Sequence, residues 1–170
     1  MCTIRAAVVS AMALLFSAQA FAYDVTIQIV QHDDSCAVLE EGSRIFEDAV
    51  IDALFDAGCI VSNIRAAVWD GAAVDERTFT RSLDEALSGC AEYFVMIDLF
   101  YNKEDSRSPD SALLSNIDHV SWRAVSTRDR SLVSDGERRP SAQSAARSSA
   151  NGIIDFAKDV SILIENGLHR

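Results

Sequence analysis

The chain has 170 residues, 49% of them hydrophobic, with 7 Gly and 2 Pro, which excludes a disordered segment and allows a sizeable core. Its formal net charge is −11, a surface that repels nucleic-acid phosphates and anionic lipid heads, so nucleic acid is not an expected partner.

Met1 to Arg5 is a short basic start, and Ala6 to Phe16 is an apolar run too brief to cross a bilayer. Ala18-Gln19-Ala20 and Ala20-Phe21-Ala22 then offer the small-x-small pattern that a signal peptidase accepts. Residues 1–22 are therefore expected to be a signal peptide cleaved after Ala22. Residues 23–170 are expected to be a single exported domain, periplasmic or secreted, with a net charge of about −12 once Arg5 is removed. Tyr23 stands where a lipid-modified cysteine would have to be. No later stretch approaches spanning length, so stable membrane insertion is not expected.

Tyr23 to Gln31 alternates, with Val25, Ile27 and Ile29 on one face, and reads as a half-buried strand broken by His32-Asp33-Asp34-Ser35. From Glu41 to Ala57 the apolar residues Ile45, Phe46, Ala49, Val50, Ala53 and Leu54 trace one helical stripe, closed by Gly58. Cys59 to Trp69 reads as extended, with an Asp70-Gly71 turn after it. Asp75 can cap a second helix that buries Phe79, Leu83, Ala86 and Leu87 and ends at Gly89. Tyr93 to Tyr101, almost wholly apolar or aromatic, reads as a central strand.

Asn102 to Asn116 is a polar loop. His119 to Thr127 alternates again, placing Val120, Trp122 and Ala124 on one side. A short strand follows around Leu132-Val133, with a turn at Asp135-Gly136. A long helix is expected from Ser141 to Asn166, capped by Gly167, with Ala142, Ala145, Ser149, Ile153, Phe156, Val160 and Leu163 inward. The order predicts an α/β fold: a two-layer sandwich, with a mixed sheet of about five strands and helices on one face.

Of the 4 cysteines, Cys2 leaves with the signal peptide, and Cys36, Cys59 and Cys90 remain. Cys59 and Cys90 each follow a Gly and open an apolar run. A disulfide between them is expected, with Cys36 free. Donor atoms cluster at His32, Asp33, Asp34 and Cys36, but adjacent residues do not easily converge on one ion, and a strand-to-helix connection uses such side chains for capping. No metal or other cofactor is expected. Asp98 is the one acid in the central strand and, with His119 and a serine, would make a small hydrolase. The chain has no G-x-S-x-G elbow, Walker A loop or G-x-G-x-x-G loop, so no catalytic residue is assigned. Trp122 becomes an anchor for a partner if it lies on the wet face of the sheet.

The helix ending "LFDAGCIV", the strand "CAEYFVMIDLF" (Cys90 to Phe100), the strand–turn–strand "HVSWRAVSTRDRSLV" (His119 to Val133) and the long last helix follow one another in a particular order. That order resembles the small envelope domains of the TolB amino-terminal and CsgG type, including the accessory proteins that activate peptidoglycan synthases. The resemblance covers most of residues 24–166. It implies a non-enzymatic binding or scaffolding role in envelope assembly or transport, through contacts with other envelope proteins, and it leaves room for a homo-oligomer. The chain lacks that group's lipid-anchoring cysteine, β-propeller and pore-forming strands.

Overall fold

Alternating and helical stripes become five strands and three helices in the computed structural model, which describes residues 22–33, 36–69, 76–104, 106, 108–141 and 149–169. Strand β1 is Asp24–His32, helix α1 Glu41–Asp56, β2 Ile60–Trp69, α2 Glu76–Ser88, β3 Tyr93–Tyr101, β4 Ile117–Ser126, β5 Leu132–Arg138 and α3 Ala150–Leu168. A 3-10 turn at Leu114–Asn116 leads into β4. Residues 1–21 of the expected signal peptide, the Asp70-Gly71 turn, the Asp75 cap and the inward Ala142 and Ala145 lie outside the described residues.

The sheet has the order β2-β1-β3-β4-β5. Strand β1 pairs in parallel with both β2 and β3, while β4 and β5 extend the sheet antiparallel. The expected α/β fold with a five-stranded mixed sheet is present. Alternation divides each strand between two cores. Val25, Ile27 and Ile29 of β1, with Val95, Ile97 and Leu99 of β3, pack against Phe46, Val50 and Leu54 of α1 and Ile153, Phe156 and Ile164 of α3. Each such side chain taken from water stabilises the fold by roughly 1.5–3 kcal/mol.

Helix α2 takes the other face. There Phe79, Leu83 and Ala86 meet Val30, Ile64, Phe94, Met96 and Val125. The reason is handedness: the chain crosses from β1 to β2 in one direction and from β2 past β1 to β3 in the other. Two right-handed crossovers of opposite direction must lie on opposite faces.

Several expectations are corrected. His32 does not break β1 but ends it, buried within the sheet. Leu87 is exposed on α2. Asp135 and Gly136 do not turn, because they pair with Arg123 and Trp122 inside β5. The Trp122 ring lies where a Cβ on Gly136 would be, so only glycine fits there. Gly167 does not cap α3, which continues to Leu168; it lets the helix press against Ser134 of β5.

The bridge between Cys59 and Cys90 does not form, and Cys36, Cys59 and Cys90 are free thiols. Cys59 precedes β2 and Cys90 lies just ahead of β3, and β1 runs between those strands. Two strand spacings put the strand starts about 9–10 Å apart, beyond the roughly 7 Å Cα separation a disulfide spans. Burial, followed by the charge of Glu165, pushes the Cys59 thiol pKa up, which makes it an inert core residue.

Candidate functional site

Trp122 is not a partner surface. It is 7% exposed in the α1/α3 core, and its indole N–H donates to Ser134 Oγ at 3.4 Å. Alternation correctly separated it from Ser121 and Arg123, but its side of the sheet is the covered one.

The chemistry lies on the other face, beyond the reach of α2. Sheet register places Trp69 of β2 beside His32 of β1, His32 beside Phe100 of β3, and Phe100 beside His119 of β4. The four rings form a row across four strands. Centroids of Trp69 and His32 are 5.0 Å apart, those of His32 and Phe100 4.2 Å, and those of Phe100 and His119 4.2 Å. The last two pairs are nearly parallel, at 15° and 8°, so the inner rings stack on one another.

Each imidazole is held by a carboxylate. His32 Nε2 donates to Asp98 Oδ1 at 2.8 Å, and His119 Nδ1 to Asp118 Oδ2 at 2.7 Å. Asp118 also accepts from Arg139. Asp98 and His119, the pair considered for a hydrolase, therefore have separate partners. Among the described residues no serine hydroxyl bonds to either imidazole.

Beside this row lies a cleft of about 820 Å³, lined among others by His32, Trp69, Phe100, Tyr101, Lys103 and Glu104. It sits at the carboxyl ends of β1 and β3, where the chain's crossovers diverge to either side. Open α/β sheets commonly place ligands at such a switch point. Gln31, fully buried, braces the lining residue Glu40 from behind: its Oε1 accepts from the Glu40 N–H and the Ser43 hydroxyl, both at 2.8 Å, and its Nε2 donates to Val38 O. This fixes the segment that enters α1. The Ser43 hydroxyl in turn accepts from the Tyr101 hydroxyl at 2.9 Å. Burial, against the Ser43 hydrogen bond, pushes the Tyr101 phenol up to about 12.

Lys103 completes the wall. Its Nζ lies 2.7 Å from Asp33 Oδ2 and 2.7 Å from Glu40 Oε1, and 5.4 Å from the centroid of the Tyr101 ring. Burial pulls the ammonium pKa down, but the hydrogen bonds and charges of Asp33 and Glu40 outweigh it and leave the pKa raised. The Trp69 indole N–H is buried without an acceptor among the described residues. No group of three His, Cys, Asp or Glu side chains among those residues is arranged to hold a metal ion. The sequence offered His32 only as a metal donor, set aside in favour of capping, and Trp69 and Lys103 were missed as site members. Their signal was positional, since His32 and Trp69 each end a parallel strand and Lys103 follows one closely.

Fold and site together define a small α/β domain with an open mixed sheet and a cleft at its switch point. Over residues 24–140 the sequence matches the model of a protein family described as "Uncharacterised protein", and the chain belongs to that family. No curated protein matches the chain by sequence. Among solved structures it is similar to a point variant of the PelC dodecamer from Paraburkholderia phytofirmans, at 16% identity and a TM-score of 0.50, over 84% of this chain and 88% of that one. It is also similar to lipoprotein GNA1162 from Neisseria meningitidis, at 12% identity and a TM-score of 0.42, over 84% and 99% of the two chains. The LpoB C-terminal domain from Salmonella enterica has 8% identity and a TM-score of 0.40, over 74% and 89%. At 16% identity the likeness to the PelC variant is one of fold alone. No helix among the described residues is long and apolar enough to cross a membrane.

Proposed function

We propose that this protein is an exported, non-enzymatic binding module that acts in the periplasm through contacts with other envelope proteins, in assembly or transport. The observation that carries this reading is the cleft itself. It is concave and walled by aromatic and charged side chains, and both neighbouring imidazoles are engaged by carboxylates, with no serine hydroxyl on either among the described residues. The leader-like residues 1–22 support export. Among the described residues strands β2 and β5 are the outer members of the sheet, edges at which a partner or a second copy can pair.

Photo-cross-linking in the native host tests this reading, with the probe at Asn102 on the cleft rim, at Arg65 on β2, or at Asp159 on the outer side of α3. Adducts to a defined envelope protein are expected from Asn102 or Arg65 and not from Asp159. Equal labelling from all three positions, or none from the first two, overturns the reading. A fusion of residues 1–22 to a reporter active only outside the cytoplasm checks export.

A further inference from the structure

One buried donor at the cleft has nothing to bond. Trp69 ends β2, packs against the core under α2 and lines the cleft, and its indole N–H is buried with no acceptor among the described residues. An unmade hydrogen bond costs a folded chain stability, and a buried indole N–H ordinarily finds a partner. The rest of the row is fixed. His32, Phe100 and His119 stack within 15° of parallel, and both imidazoles are tied to carboxylates. Trp69 stands outside that stack, its plane tilted 44° from the His32 ring. The unused hydrogen bond and the unlocked ring therefore belong to the same residue, and that residue faces the cleft wall.

We propose that this cleft binds an uncharged amide carbonyl carried on an apolar or aromatic body, with the Trp69 indole N–H donating to the carbonyl oxygen. The inference rests on the binding-module reading and adds the chemistry of the ligand. The indole nitrogen is shielded as it stands, so the ring turns from its 44° tilt to meet the oxygen, and the body lies against the aromatic side chains of the cleft. Charge selects the neutral form. An ammonium brings only donors and leaves the indole N–H unmade. A carboxylate can accept that hydrogen bond but meets negative charge in the wall, where the carboxylates of Asp33 and Glu40 both lie 2.7 Å from the single ammonium of Lys103. The carbonyl arrives on a free small molecule or in the main chain of a partner protein, and the recognising chemistry is the same for both.

Titrating the isotope-labelled protein with hydrocinnamamide, hydrocinnamate and 3-phenylpropylamine compares one shape with a neutral carbonyl, an anionic carboxylate and no acceptor. Hydrocinnamamide is expected to move the Trp69 indole proton downfield, as a new hydrogen bond does, and to shift the backbone amides of Asn102 and Lys103. The Trp122 indole, already bonded to Ser134, is the internal reference and is expected to stay in place. Hydrocinnamate is expected to bind about tenfold more weakly, and the amine to leave the Trp69 indole proton where it was. Trp69→Phe keeps a ring and removes the donor; it is expected to weaken hydrocinnamamide about tenfold, read at the Asn102 amide. The indole shift is measured in the unaltered chain, so the test stands if that variant fails to fold. N-acetylphenylalanine N-methylamide separates the two sources. Tighter binding than hydrocinnamamide assigns the site to a partner's main chain, and weaker binding assigns it to a free amide. Cleft amides that saturate while the Trp69 indole proton stays still, or equal affinity for the amide and the carboxylate, overturn the carbonyl site but leave the binding-module reading intact. Absence of any shift at the cleft with all four probes, while cross-links from Asn102 or Arg65 still form, overturns the carbonyl site alone.

Discussion

The two faces of the sheet are made by the same strands and do opposite things. On the α1/α3 face the inward residues of β1 and β3 are Val25, Ile27, Ile29, Val95, Ile97 and Leu99, all fully buried and all aliphatic. On the other face the same strands present Phe94, Met96 and Val30 under α2, and then His32, Asp98 and Phe100 beyond it. A strand with period-two alternation can therefore serve stability with its odd residues and recognition with its even ones. Among the described residues, α2 covers the amino ends of the parallel strands and does not reach His32, Asp98 and Phe100 at their carboxyl ends.

Substitutions break or sharpen this contrast, beginning with the most damaging. Phe46→Ala opens a cavity in the fully buried core between α1 and the sheet, and is expected to cost about 4 kcal/mol in a urea unfolding curve while leaving cleft titrations unchanged in the folded protein. Lys103→Met strips Asp33 and Glu40 of the ammonium between them; a loss of about 3 kcal/mol is expected at neutral pH, and acidification that protonates the two acids should recover part of it. Asp98→Ala leaves His32 Nε2 without its acceptor at the sheet surface. A smaller loss of about 1–2 kcal/mol is expected, together with a shift of the His32 ring resonances and no change in the α1/α3 core.

The smallest effect at neutral pH belongs to Tyr101→Phe, and it grows with alkali. The folded chain keeps the Tyr101 proton up to about 12, whereas the unfolded chain releases it near 10.0. The folded state therefore binds more protons in that window. The stability this group contributes is whole below pH 10 and is lost as pH rises towards 12. The raised pKa of Lys103 acts in the same direction above 10.5. Unfolding midpoints measured across this range should fall less steeply for Tyr101→Phe than for the parent chain; equal slopes would show that Tyr101 is not the titrating group.

Much of the fold was legible because its signals are local. The stripe from Ile45 to Leu54 marks α1 to within a residue, and the run from Tyr93 to Tyr101 is β3 end to end. The site was not legible, because it depends on which strands become neighbours. His32, Trp69, Phe100 and His119 share no sequence motif, and only the order β2-β1-β3-β4 puts them in one row. The same limit explains the cysteines: Cys59 and Cys90 open similar runs, but β1 separates the strands that follow them. Trp122 shows a subtler gap. Alternation places it opposite Arg123, yet it cannot tell that α3 covers that side until the register with Gly136 and the contact of Gly167 with Ser134 are known.

The place of β1 also governs the order in which the structure can assemble. It is the first of the described strands in chain order, but it is the middle member of the parallel trio, and its partners begin only at Ile60 and Tyr93. Both pairings must close long crossovers before any ladder hydrogen bond rewards them, which makes folding slow and late relative to synthesis. Helix α1 can flicker alone, but its apolar stripe has no sheet to cover until β3 arrives. A chain emerging amino end first therefore stays open and threadable until more than half of it has appeared, and then it closes around its first strand.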